Sequence, residues 1–133
     1  MHPPLSEQDV LATGGWHPRY VRVLATASDG DYGVAIVDGN GDGAELEEEA
    51  WLWDDADGRW TGGSSSGAGP LDHLDAIHSG GQVGDGCYAY GRAAGRSSVR
   101  IRFGGQTFEV PVGQYGVWAF IGTGTGPPPA LAT

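Results

Sequence analysis

Apolar and polar residues alternate strictly along Val99-Arg100-Ile101-Arg102-Phe103, and a second apolar-polar run follows Gly104-Gly105 as Gln106-Thr107-Phe108-Glu109-Val110. Alternation with a period of two is the mark of a half-buried strand, and a Gly-Gly connection predicts a tight hairpin. Counting outward from that turn pairs Phe103 with Gln106, Ile101 with Phe108 and Val99 with Val110 on one face. Arg102 then meets Thr107, and Arg100 meets Glu109, on the other. An apolar face and a cross-strand ion pair emerge from the same register. An exposed pair of that kind contributes only about 0.2–1 kcal/mol, so its value is as a marker of register.

The same reading applied to the rest of the chain gives further strands. Tyr20-Val21-Arg22-Val23-Leu24-Ala25-Thr26 and Tyr32-Gly33-Val34-Ala35-Ile36-Val37 flank the turn residues Ser28-Asp29-Gly30-Asp31 and predict a second hairpin. Leu46 to Trp53 predicts a third strand, with Leu46, Glu48, Ala50 and Leu52 on one face and Glu47, Glu49, Trp51 and Trp53 on the other. Asp54-Asp55-Ala56-Asp57-Gly58 turns the chain back through Arg59-Trp60-Thr61. Cys87 to Arg92 reads as a strand, and Tyr115 to Ile121 is apolar on both faces, which places it centrally in a sheet.

Other segments break the pattern. Leu5-Ser6-Glu7-Gln8-Asp9-Val10 carries helix-start chemistry: Ser6 as N-cap, Asp9 three residues on, Leu5 and Val10 as a hydrophobic staple. Gly14-Gly15 ends that helix. Gly62 to Pro70 is read as a flexible surface loop, and Leu71 to His78 as a short helix closed by Gly80-Gly81. These elements predict an N-terminal capping helix over residues 1–15, a single β domain over 16–122 and a loose Pro/Gly tail over 123–133. The expected fold is all-β, an antiparallel β-sandwich of immunoglobulin-like or similar type, with a small β-barrel as the alternative.

Composition sharpens this picture. The chain has 133 residues, the size of one domain, with 25 glycines that sit largely at turns. Its net charge is -10, and all 7 basic residues are arginine. Without lysine there is no P-loop lysine, no Schiff base and no lysine general base. An acidic chain repels phosphate backbones, so nucleic acid is not the expected partner. The single cysteine, Cys87, rules out an internal disulfide and a cysteine zinc site. No stretch approaches the roughly 18 apolar residues of a membrane span. Met1 to Glu7 has neither the basic start nor the apolar run of a signal peptide, so the cytoplasm is the expected compartment.

Asp57-Gly58-Arg59-Trp60, the Gly62–Gly67 stretch and the late hairpin of Arg100 to Val112 together give the chain a resemblance to a group of small β-rich proteins of high-GC actinobacteria. The likeness spans roughly two thirds of the chain. Its shared motifs are turn and core residues, so it implies a β-rich fold and carries no activity, cofactor or site.

Candidate chemistry is sparse. Asp38-Gly39-Asn40-Gly41-Asp42-Gly43 matches a calcium-loop template, with Asp38, Asn40 and Asp42 at positions one, three and five. The Ala44 carbonyl stands at position seven and Glu49 at twelve. Ca2+ is thus the one cofactor the sequence suggests. Strands flank this loop and Glu45 replaces the apolar residue at position eight, so it is not half of an EF-hand. The other reading of the loop is a polar hairpin turn.

Trp51, Trp53 and Trp60 lie on one sheet face, as a stacking platform for a partner if exposed or as core if buried. Asp72, His73, Asp75 and His78 read as a solvated polar turn. Gly63 to Gly67 fits G-x-S-x-G without the strand and helix that a nucleophile elbow needs, and Cys87 reads as an inert buried thiol.

The expected function is therefore binding rather than catalysis, through a protein partner or self-association. A calcium-binding β domain using residues 38–49 is the second reading. A small-barrel enzyme with Asp75, His78 or Tyr90 in its cavity is the third.

Overall fold

A computed structural model describes residues 2–132. Helix α1 (Glu7–Thr13) starts where the capping chemistry places it. The Asp9 N–H donates to the Ser6 hydroxyl at 3.2 Å, and the Ser6 N–H donates to the Asp9 carboxylate at 2.9 Å. Strands β1 (Arg22–Asp29), β2 (Tyr32–Asp38), β3 (Leu46–Asp54) and β4 (Arg59–Gly69) follow as an antiparallel meander, each paired with the next. A single 3-10 turn at Leu71–His73 leads into β5 (Ser79–Val83), β6 (Gly86–Arg92), β7 (Ser98–Phe103), β8 (Gln106–Pro111), β9 (Val117–Thr123) and β10 (Ala130–Leu131).

These strands form three antiparallel sheets. The meander sheet runs β1-β2-β3-β4, a middle sheet runs β5-β6-β9, and a hairpin sheet runs β10-β7-β8. The sheets stack, and alternation along shared strands decides which core each residue enters. On β2, Val34 and Ile36 face the middle sheet while Ala35 and Val37 face α1. On β9, Val117, Ala119 and Ile121 face the meander sheet, whereas Trp118 and Phe120 face the hairpin sheet. The fold is an all-β sandwich with a short N-terminal helix on one outer face and a third sheet on the other. No ladder closes the sheets into a barrel among the described residues. Full burial of each Val or Ile side chain stabilises by about 1.5–3 kcal/mol, so β2, buried from Gly33 to Asp38, is a main anchor of the meander.

The late hairpin has the register that its alternation predicts, from Phe103 opposite Gln106 to Val99 opposite Val110. Gly104 and Gly105 take φ of 60° and 76°, the left-handed turn that glycine adopts without strain. The expected Arg100–Glu109 ion pair does not form. The two residues are opposite each other, but Glu109 accepts instead from the Ser98 hydroxyl at 3.0 Å.

Three segments depart from the sequence reading. Residues 62–67 are not a loop: the ladder offered by β3 extends them into β4, with irregularities of register near both ends of the Gly/Ser run. Residues 71–78 are not a two-turn helix, because Leu74 turns into the core. The backbone beyond it bonds to β6, with the Arg92 N–H donating to Asp75 O at 2.9 Å and the His78 N–H to Tyr90 O at 2.8 Å. The C-terminal tail is tied down rather than loose: Ala130 and Leu131 pair with Arg102 and Ile101, and Pro129 is buried.

Candidate functional site

The acidic loop does not assemble the calcium ligands. Asp38 is 1% exposed, and its two oxygens accept the Gly41 N–H at 3.0 Å and the Gly43 N–H at 2.8 Å. Asp42 accepts the Ala44 N–H at 3.0 Å, and Asn40 is exposed. Glu49 lies on the wrong face. Asp38 pairs with Leu46 and faces the middle sheet, whereas Glu49 pairs with Ala35 and faces α1. The separation from Leu46 to Glu49 is odd, and on a pleated strand an odd step reverses the face and adds about 10 Å of length. Among the described residues no group of three or more His, Cys, Asp or Glu side chains is arranged to hold a metal. The loop is an Asx-type connection between β2 and β3.

Glu49 has a different task. Its carboxylate accepts from the Trp16 indole at 2.9 Å and from the Trp51 indole at 3.3 Å. Burial pushes its pKa up, the two indole bonds pull it back, and the charge of Glu47 raises it further. One carboxylate thus fastens the residues after α1 to the centre of β3, which the sequence pattern did not reveal.

The tryptophan row is largely core. Trp51 and Trp60 are buried and Trp53 is half-buried. The N-terminal segment lies over them: the His2 ring stacks on Trp53 at 4.1 Å, and the Trp60 indole donates to Pro3 O at 3.1 Å. His2 also bonds Asp31 at 2.8 Å, and its pKa is raised, first by the Pro3 carbonyl and then by Asp31. The row expected to meet a partner meets the protein's own N-terminus.

Of the remaining sequence candidates, His78 lies between Asp75 and Tyr90, its ring centroid 5.7 Å from that of Tyr90, while Asp72 and His73 do not join them. Asp72 and His73 are exposed, Asp75 lies 4.0 Å from His78, and Tyr90 is buried inside the sandwich. Cys87 is buried and unbridged. His78, Gln82, Cys87, Pro128 and Pro129 line a groove of about 470 Å³ beside β5 and β6. Between the sheets, Tyr88 donates its hydroxyl to Glu48 at 2.8 Å, and burial followed by that bond raises the tyrosine pKa.

What the structure exposes is a sheet edge. β4 is 11 residues long and ends the meander sheet, paired with β3 on one side and with no strand on the other among the described residues. Gly62 to Gly67 are all exposed. From Trp60 to Gly69 there is no proline and no charge, so two of the usual guards of an edge strand are missing. The register irregularities near the two ends of the Gly/Ser run are what interrupts this edge. Its inner neighbour is the most acidic stretch of the chain: Glu47 stands opposite Gly67, Glu48 opposite Ser66 and Glu49 opposite Ser65. Gly67 has ordinary backbone angles, and a Cβ added there would meet nothing within 4 Å, so the fold does not itself demand glycine at that position. A Gly/Ser run carries no alternation, so this edge had no periodic signal in the sequence.

Comparison with protein-family models, with curated proteins and with solved structures finds no match to this chain. The site is read from its own chemistry.

Proposed function

We propose that the protein is a non-catalytic binding module that captures a polypeptide partner by strand addition at β4. The observation that carries this reading is the free outer edge of β4, exposed over Gly62–Gly67 and unguarded by charge or proline. An extended segment laid along it gains main-chain hydrogen bonds, the recognition mode of domains that accept peptides as an extra strand. Small side chains on β4 let that segment approach on either face. The compartment that fits the reading is the cytoplasm, where a single unbridged thiol such as Cys87 is ordinary.

A neutral peptide of alternating threonine and valine, titrated into isotopically labelled protein, tests the mode. Chemical-shift changes and slowed amide exchange centred on residues 62–67 are the expected result. Changes confined to β1, β8 or β10, or none at all, would overturn the assignment.

A further inference from the structure

The partner's chemistry follows from the charge around this edge, an inference that rests on the strand-addition reading. We propose that the segment β4 accepts is basic, an extended strand carrying arginine or lysine on alternate positions. Between Asp38 and Gly58 the chain places 9 of its 17 carboxylates and no basic residue, and this stretch forms β3 and the turns at its two ends. Arg59, the only basic residue on β4, already lies 3.8 Å from Asp57.

The geometry makes part of this charge reachable. Neighbouring strands are about 4.7–4.9 Å apart, so an added strand lies about 9.5 Å from β3 with β4 between them. Opposite Glu47 the intervening residue is Gly67, which puts no side chain in the lane and has open space above it. Glu47 has no hydrogen bond or ion pair of its own among the described residues. A long cationic side chain on the added strand closes that distance over bare backbone. An acidic strand meets like charge there instead. A second copy of this chain brings its own carboxylates to the edge, so self-pairing through β4 is opposed for the same reason.

Three nine-residue peptides on one threonine-valine scaffold decide the question: one with arginine at three alternate positions, one neutral, one with glutamate at those positions. Calorimetry and amide shifts are read for each, and sedimentation is run on the protein alone. The basic peptide should bind about fivefold to tenfold tighter than the neutral one, the acidic peptide weakest, and the difference should shrink with salt. Glu47→Gln should erode the basic advantage while leaving the neutral peptide's affinity and the melting temperature near wild type. Gly67→Thr, which puts a side chain in the lane to Glu47, should lower the ratio of basic to neutral affinity.

Equal affinity for basic and neutral peptides, both shifting residues 62–67, overturns the basic partner and leaves strand addition standing. Failure of every peptide to shift those amides overturns both. Binding of the basic peptide without shifts at 62–67, or dimerisation of the free protein through them, also defeats the proposal.

Discussion

Replacing Trp51 by alanine separates a buried tryptophan row from a partner-binding platform. Trp51 is fully buried in the core beneath α1, alongside Leu5, Val10, Ala35, Val37 and Trp60, and its ring lies beside Gly62. Truncating a buried tryptophan to alanine costs about 3–5 kcal/mol through lost transfer energy and the cavity left behind. Glu49 loses one of its two indole donors as well, which acts in the same direction. Unfolding entropy is about 2.1 cal/mol/K per residue, or about 0.28 kcal/mol/K for 133 residues, so the melting temperature should fall by about 11–18 °C. Trp51→Phe keeps one six-membered ring but removes the N–H and the fused five-membered ring, so a loss smaller than that of alanine, about 1–3 kcal/mol, is expected. Thermal unfolding followed by circular dichroism, with the near-ultraviolet signal as a check on packing, reads both. A Trp51→Ala protein melting within about 2 °C of wild type refutes the core assignment and returns the tryptophans to the surface.

Glu49 should leave a pH signature. Its folded pKa is raised by burial, so its contribution to stability is full below the ordinary value of 4.5 and is lost as the pH rises through the folded value. Glu49→Gln should therefore flatten melting temperature against pH relative to wild type, and an unchanged slope would count against the buried-carboxylate account. His2 has the same sign: its raised pKa makes the docked N-terminal segment firmest below 6.5 and looser as the pH climbs through the folded value. Nuclear magnetic resonance titration of the His2 ring, with amide exchange at residues 3–5, checks this, and a pKa at or below 6.5 refutes it. Asp38→Ala strips the acceptor from the Gly41 and Gly43 amides and should lower stability by about 1–3 kcal/mol. Millimolar calcium should leave wild-type melting unchanged, and a calcium-induced rise that Asp38→Ala abolishes would restore the loop as an ion site.

Sequence and structure agree where side chains carry a pattern. The β7–β8 hairpin was legible to the residue because alternating apolar positions and Gly104-Gly105 specify one register, and a slip of one residue would expose every apolar group. β2 was legible as one strand of a hairpin. β9, expected to lie centrally because both of its faces are apolar, is instead the end strand of the middle sheet. Its faces are apolar because that sheet is covered by a neighbour on each side. β4 and β5 were not legible, since Gly62-Gly63-Ser64-Ser65-Ser66-Gly67 and Gly80-Gly81 have almost no side chain to pattern and become strands only through a neighbour's ladder. The calcium template counts residues along a loop, whereas from Leu46 onward the chain is pleated and sends Glu49 to the face opposite Asp38, a separation that a count of spacing does not carry. Nor could composition show that the tryptophan row would be roofed by His2 and Pro3, a contact between residues some fifty positions apart.

The middle sheet also gives the chain a modular seam. Arg92 and Val117 are the last paired residues of β6 and β9, and they stand directly opposite each other. Everything between them, the β7–β8 hairpin included, is an excursion that leaves and returns at one point in space. A short turn joining Arg92 to Val117 could replace that excursion without rethreading the backbone. The shortened chain would still bare Trp118, Phe120, Cys87 and Ala89 to water. The hairpin is thus detachable in topology and indispensable in packing, an outer shutter on a two-sheet sandwich that could be exchanged for another segment able to cover the same apolar face.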